Sequence, residues 1–191
     1  MTRTVLSLEA FEARYSGGED PWSFATDPYE LERYETTLAS LQRPMYETVY
    51  EPGCSIGVLT TRLAAISRRV IATDFAPSAI AQAKARCRQL PNVEFLCEDL
   101  RTFIPAEPLD LIVFSEIGYY FSTNELAKLA VDLAGALVPH GEFIAVHWLG
   151  NSDDHVLHGN RVHETLRESL PLTPARAEFH RGFRLDSWTK P

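Results

Sequence analysis

The sequence is poor in most features that would assign it quickly to a specialised class. Only three cysteines are present among 191 residues, Cys54, Cys87 and Cys97. That odd count without paired spacing excludes a disulfide framework and a cysteine zinc site. Cys87 lies on the apolar stripe of an expected helix and Cys97 near an expected strand end, so both read as core residues. No apolar run approaches the roughly 20 residues that cross a bilayer. The first residues, MTRTVLSLEAFEARY, carry acids where a secretory leader is apolar, so a cytoplasmic location is expected. Basic residues are in deficit, 18 against 26 acidic, giving a formal net charge of -8. That balance disfavours nucleic acid and anionic membrane as partners. Repeats, low-complexity runs and linkers are absent, and no Gly-Lys-Ser/Thr follows a glycine turn, which removes the P-loop.

What is present is a change of character near residue 46. Residues 1–45 hold Phe11, Tyr15, Trp22, Phe24, Tyr29 and Tyr34 but no strand alternation, and they read as a helical cap or lid. Gly17 and Gly18 would let that segment move before the aromatic set closes. Residues 46–191 alternate strand and helix patterns, and the whole of 1–191 reads as one domain. Expected strands cover 47–51, RVIAT up to Asp74, VEFLC at 93–97, LDLIVFS at 109–115 and EFIAVHW at 142–148. The unbroken apolar run of 109–115 suits a strand covered on both faces. Helices are expected after EPGCSIG, with Leu59, Leu63 and Ile66 on one face, after Pro77, and after Ser122. Ser122 and Glu125 have capping-box spacing ahead of Leu126, Leu129, Ala130, Leu133 and Leu137. Pro139 and Gly141 should end that helix, and another is expected over about 154–168. Two weaker stretches, 175–180 and 183–188, suit an antiparallel hairpin. The fold class is α/β, a Rossmann-like doubly wound sheet, mostly parallel with a C-terminal antiparallel hairpin.

In such sheets ligands sit outside the carboxyl ends of the strands. Gly53-Cys54-Ser55-Ile56-Gly57 follows the first strand, and a glycine turn before a helix admits a ligand to the backbone. Asp74 ends the second strand 21 residues beyond Gly53, the spacing of an acid that takes ribose hydroxyls. Together they indicate an adenosine-type ligand. The dinucleotide fingerprint G-x-G-x-x-G is broken twice, at Ser55 and at Val58. A nucleoside without phosphates, such as S-adenosylmethionine, tolerates a side chain at position 55.

The order EPGCSIG, TD at 73–74, CEDL at 97–100 and DLIVFSEIGYY at 110–120 resembles the class I S-adenosylmethionine-dependent methyltransferases over about 47–148. Ser55 departs from that motif's middle glycine. More narrowly, DPWSFATDPYELERYETTL with the later SEIGYY resembles the nodulation protein S type of N-methyltransferases, over nearly the whole chain. The resemblance implies S-adenosyl-L-methionine as cofactor, S-adenosyl-L-homocysteine as product, and no metal. It implies Gly53, Cys54, Ser55 and Gly57 along the methionine part, Asp74 on the ribose diol and Phe75 against adenine. Asp99 would take the adenine amino group beside Leu100, and Ser115 would face the methionine end. Arg33, 20 residues before Gly53, would meet the methionine carboxylate, with Trp22 and Tyr29 covering the pocket.

Catalytic candidates are Glu116, which follows the buried strand, His147 on the rim of the neighbouring strand, and Tyr119 beside Tyr120. A carboxylate or imidazole there would accept an amine proton, and the rings would orient the acceptor or favour a developing cation. His155 and His158, three apart on the expected helix, would share a face, but with no third ligand they do not make a metal site. The expected acceptor is a small molecule or an amino-sugar oligosaccharide, methylated on nitrogen. An O-methyltransferase with His147 as base, a nicotinamide-dependent oxidoreductase and a non-catalytic nucleoside-binding protein remain as alternatives, and the oligomeric state is open.

Overall fold

A computed structural model describes residues 7–16 and 20–191. Gly17 and Gly18, the expected hinge of the N-terminal segment, lie outside the described residues. The chain forms two compact units, one over Ser7–Phe103 and one over residues from Ile104 to Pro191. Its seven strands take the order β3-β2-β1-β4-β5-β7-β6. The fold is mixed α/β, as read from the sequence.

The unit over Ser7–Phe103 contains α1 (Leu8–Ser16), α2 (Pro28–Ala39), β1 (Tyr46–Pro52), α3 (Val58–Ala65), β2 (Ser67–Asp74), α4 (Pro77–Arg86) and β3 (Val93–Cys97). β1 pairs parallel with β2, and β2 parallel with β3. The inner strand β2 buries every residue from Val70 to Asp74, so its carboxyl end can carry a polar side chain only if hydrogen bonds satisfy it. Among the described residues of the N-terminal segment, α1 and α2 are helical. Asp20 accepts from the amides of Phe24 and Ala25 (both 2.8 Å), and Asp27 caps α2 through Tyr29 N–H (2.9 Å). Pro28 and Pro77 each open a helix, where the missing N–H costs nothing.

The unit over residues 104–191 contains β4 (Leu109–Ser115), a 3-10 turn (Gly118–Tyr120), α5 (Thr123–Ala136), β5 (Leu137–Trp148), α6 (Gly159–Ser169), β6 (Thr173–Phe179) and β7 (Phe183–Thr189). β4 and β5 are parallel, while β7 runs antiparallel to both β5 and β6. The C-terminal hairpin is therefore present, with β7 inserted beside β5. Leu109 and every residue from Leu111 to Phe114 are buried, as an apolar strand covered on both faces requires. The capping box forms in both directions between Ser122 and Glu125.

Several local expectations are corrected. β5 begins at Leu137 and runs through Pro139 and Gly141, since the chain enters the sheet straight from α5, with His140 at a φ of +62°. α6 begins at Gly159 because the His158 side chain caps it, its Nδ1 accepting from Asn160 N–H (3.2 Å). His155 and His158 therefore precede the helix and share no helical face. Cys87 is buried as expected, but Cys97 is exposed, because β3 is the outermost strand at its end of the order. Among the described residues no helix is long and apolar enough to cross a membrane.

Candidate active site

In the unit over Ser7–Phe103, the turn after β1 is left-handed at three positions: Gly53 (φ +72°), Ser55 (φ +49°) and Gly57 (φ +78°). Glycine adopts this backbone freely, but a serine does so at a cost. Ser55 is held there from two sides. Its N–H donates to Asp74 Oδ2 (3.0 Å), and its hydroxyl receives Tyr15 O–H from α1 (2.8 Å). A Cβ at Gly57 would stand 3.1 Å from Ala83 Cβ on α4, so the turn needs glycine there for packing as well as for its dihedral. Gly57→Ala is expected to destabilise the protein by about 1–3 kcal/mol from strain and overpacking, measured by urea denaturation. An unchanged midpoint would remove the packing role.

Asp74 is the centre of this set. Its Oδ1 accepts from Ala76 N–H (3.0 Å) while Oδ2 holds Ser55 N–H, so the carboxylate is fixed by the turn on one side and the start of α4 on the other. Burial pushes its pKa up to about 6, against the pull of those backbone donors. Glu51, at the end of β1, is also buried. It accepts from Thr60 O–H (2.5 Å) and is pushed by burial up to about 8. The Cys54 thiol is buried and raised by the same desolvation, so it packs and does not react.

α1 lies against the same residues. Phe11 meets Phe75 edge-on (5.1 Å), and Trp22 contacts Tyr15 and Phe24 (5.3 and 5.5 Å). Glu12 accepts from Ser78 N–H (3.0 Å) and O–H (2.5 Å), supplying α4 with the cap that Ala76 lacks. Phe75 is half-buried and Leu100 buried. Asp99 accepts from Arg101 N–H (2.9 Å) in the turn after β3. Arg33 is 1% exposed and ion-paired with Glu30 one helical turn away, with Tyr29 and Tyr34 rings near its guanidinium. The pair is buried.

The donors and acceptors fit a nucleoside. Asp74 uses one lone pair on each oxygen for backbone amides, and a carboxylate has about four such sites. Two hydroxyls of a ribose can occupy the remainder. The turn beside it has Ser55 and Tyr15 where a pyrophosphate would need bare backbone, so the phosphate-binding version of the site is closed off by side chains.

In the unit over residues 104–191, β4 ends at half-buried Ser115, and Glu116 follows with a φ of +60°. Left-handed backbone at a non-glycine residue is uncommon and gathers at functional positions. Glu116 N–H donates to Val146 O (3.0 Å), and its Oε1 accepts from Tyr119 O–H (2.8 Å) and Trp148 N–H (2.7 Å). The carboxylate is thus oriented by the ends of two adjacent strands. Tyr119 is not a rim residue. It is buried, stacked on His155 (4.0 Å between centroids) and edge-on to His147 (5.0 Å). Its hydroxyl reaches Glu116, but its ring has no open face for an acceptor. Tyr120 is half-buried.

His147 also differs from its expected place on the rim. It is wholly buried, with Nε2 accepting from Gly118 N–H (3.1 Å) and Nδ1 3.2 Å from His163 Nε2. Both ring nitrogens are committed inside the fold, which leaves no geometry for a solvent-facing base. Among the described residues no group of histidine, cysteine or carboxylate side chains is arranged to hold a metal ion.

The family model for nodulation protein S matches residues 11–170. The chain belongs to the nodulation protein S family. It is 31% identical to nodulation protein S of Sinorhizobium fredii (strain NBRC 101917 / NGR234) over 133 residues, 69% of this chain and 62% of that protein. It is 38% identical over 111 residues to phosphoethanolamine N-methyltransferase 3 of Arabidopsis thaliana, covering 56% of this chain and 22% of that protein. The chain spans about three-fifths of the nodulation protein S relatives it matches. Among solved structures it resembles N-methyltransferase NodS from Bradyrhizobium japonicum WM9 in complex with S-adenosyl-L-homocysteine. The TM-score is 0.86 and the identity 25%, over 96% of this chain and 98% of that one. The Rossmann-like fold is thus shared with that solved N-methyltransferase.

Glu12 and the buried Glu51–Thr60 pair were not singled out by sequence reading, nor were Arg184 and Asp186. One signal was available for the last two. FRLDSW places an arginine and an aspartate at i and i+2 of an otherwise apolar strand, where charges on one face need partners.

Proposed function

We propose that this chain is an S-adenosylmethionine-dependent methyltransferase acting on a nitrogen of a small-molecule or amino-sugar acceptor. The observation that carries the reading is the fixed Asp74 carboxylate beside a left-handed turn whose Ser55 is sealed by Tyr15. That combination suits a ribose and rejects a pyrophosphate. Bound S-adenosylmethionine would supply a methyl group already activated by its sulfonium. The protein's part is to bind, to orient and to manage one proton. Gly53, Ser55 and Gly57 would lie along the methionine portion, and Asp74 would take the ribose hydroxyls. Phe75, Leu100 and Asp99 would receive the adenine, with Arg33 and Trp22 on the covering side and Ser115 at the methionine end. Glu116 would steady the acceptor amine and accept or neutralise its proton. Residues 1–191 would act as one catalytic domain, in the cytoplasm, without nucleic acid or membrane as partner.

A hydroxyl acceptor would need a stronger base, and the burial of His147 does not favour that alternative. Titration with S-adenosyl-L-homocysteine and with NADH, followed by calorimetry, tests the cofactor. Binding of the first at one per chain, and none of the second, is expected, and the reverse would return the oxidoreductase reading. Glucosamine and phosphoethanolamine are suitable first amine probes for turnover. α1 is already joined to the site through Tyr15–Ser55 and Glu12–Ser78. Amide exchange between Trp22 and Tyr34 should therefore slow on adding S-adenosyl-L-homocysteine. Equal exchange with and without it would sink the lid.

A further inference from the structure

The buried contacts of His147 continue beyond it. His163 Nδ1, on α6, lies 3.0 Å from Asp186 Oδ2 on β7. Asp186 is gripped in turn by Arg184, through Nε to Oδ1 (3.0 Å) and Nη2 to Oδ2 (2.7 Å). Gly118, His147, His163 and Asp186 thus form an unbroken line from the turn after β4 to the far strand β7. All four are buried.

Only one arrangement of protons satisfies this line. Gly118 N–H is a donor, so His147 Nε2 must present a lone pair, and the proton of a neutral imidazole then sits on Nδ1. His147 Nδ1–H faces His163 Nε2, which must also present a lone pair. The His163 proton is therefore on Nδ1, 3.0 Å from an Asp186 carboxylate oxygen, a close charge contact without the alignment of a full hydrogen bond. Burial pushes the His163 imidazole below its ordinary range despite the pull of Asp186, consistent with a neutral ring. Burial pushes Asp186 upward, but the His163 and Arg184 contacts outweigh it and hold the acid below its ordinary range.

Gly118 fits the same scheme. A Cβ there would stand 2.4 Å from Val162 Cγ1, 2.8 Å from His147 Nε2 and 3.0 Å from Phe114 Cε1. The backbone has approached the imidazole as closely as only a glycine permits. Gly118 lies between Glu116 and Tyr119, the two residues whose side chains meet at 2.8 Å.

We infer that Asp186 and His163 are positioning residues, which lock His147 in the tautomer that grips Gly118 N–H and so hold the Glu116–Tyr119 turn in its working shape. The inference rests on the reading of Glu116 proposed above only for the word working; the tautomers and the grip on Gly118 stand apart from it. Asp186 orders His163, His163 orders His147, and His147 fixes the one amide that sits in the middle of the turn. None of the three side chains needs to touch the acceptor.

The test is nuclear magnetic resonance of uniformly 15N-labelled protein at neutral pH. His147 and His163 should both carry the proton on Nδ1, opposite to the usual preference of free imidazole. Nitrogen–nitrogen couplings across hydrogen bonds should link Gly118 N to His147 Nε2, and His147 Nδ1 to His163 Nε2. Asp186→Leu, made together with Arg184→Leu so that no buried guanidinium is left without its carboxylate, removes the terminal acceptor. His163 should then move its proton to Nε2, forcing His147 to do the same and setting two donors against each other at Gly118. The Gly118 coupling should vanish and its amide exchange rise roughly tenfold or more. Affinity for S-adenosyl-L-homocysteine should change less than about threefold, a shift below the size of one lost hydrogen bond. A wild-type His147 protonated on Nε2 would overturn the relay, and so would a variant with Gly118 unchanged. If that double variant does not fold, the wild-type tautomers and couplings still decide. A wild-type protein with these couplings that fails to bind S-adenosyl-L-homocysteine would keep the relay and reject the methyltransferase reading.

Discussion

Replacing Asp74 with alanine is expected to weaken S-adenosyl-L-homocysteine binding by about 1.5–3 kcal/mol, roughly ten- to hundredfold, the range for hydrogen bonds to a charged group. The carboxylate is fixed by Ser55 and Ala76 amides, so a ligand hydroxyl meets an acceptor that need not be ordered on binding. The same residue predicts a pH dependence. Hydroxyl donors favour the ionised acid, whereas burial holds its pKa up at about 6 in the unliganded protein. Affinity should therefore be level well above pH 6 and fall by up to about tenfold per unit below it, with a proton released on binding near pH 6. Stability runs the other way. A carboxylate raised by folding contributes fully below its unfolded value, near 4, and that contribution is lost as pH rises through 6. Asp74→Asn should flatten the binding profile and separate this carboxylate from the cofactor's own titration and from its buried neighbour Glu51. Calorimetry from pH 5 to 8 in two buffers of different ionisation heat measures both affinity and proton release. A profile unchanged in Asp74→Asn would take Asp74 out of the ligand site.

The difference between what could be read in the sequence and what could not follows the range of the interactions. The strands, the capping box at Ser122 and the terminal hairpin come from periodicity and near-neighbour chemistry, and those forces act within a few residues. Asp74 was legible because a parallel sheet places strand ends together, so a spacing of 21 from Gly53 becomes a spatial relation. His147 was legible as a polar residue near a strand end but not as a buried one. Its partners Gly118, His163 and Asp186 lie 29, 16 and 39 residues away, and no local pattern joins them. Arg33 shows the same limit: a helix with Glu30 nearby suggests an ion pair, yet only packing decides that the pair is buried. Cys97 reads as core because its strand is apolar, but strand order, set by long-range pairing, puts it on the outermost strand. The helix expected from about 154 begins at Gly159, where the His158 imidazole caps it.

The largest expected effect falls on Glu116. Glu116→Gln keeps the shape and can still accept from Tyr119 O–H and Trp148 N–H through its carbonyl oxygen, so the turn should survive. What it loses is the charge that would attract a cationic amine and accept its proton. With an amine acceptor, kcat should drop about 10²-fold or more, the usual range for a general acid–base group, while S-adenosylmethionine affinity stays near wild type. Tyr119→Phe separates orientation from charge. It removes one donor to Glu116 and leaves the carboxylate, so a smaller fall in kcat is expected, with the acceptor KM raised if the side chain swings. His147→Gln does not simply remove a rival base, because His147 is wholly buried and its loss also releases Gly118. Its kcat should fall together with stability, seen as a lowered urea midpoint. Glu116→Gln should lower kcat at an unchanged midpoint. Near-normal turnover in Glu116→Gln would leave the protein to work by positioning alone, with the sulfonium supplying all of the driving force. A loss confined to S-adenosylmethionine binding would instead make Glu116 a cofactor ligand. The left-handed backbone at Glu116, held by the Val146, Tyr119 and Trp148 contacts, fixes the carboxylate at the end of β4, which makes the first outcome the less expected.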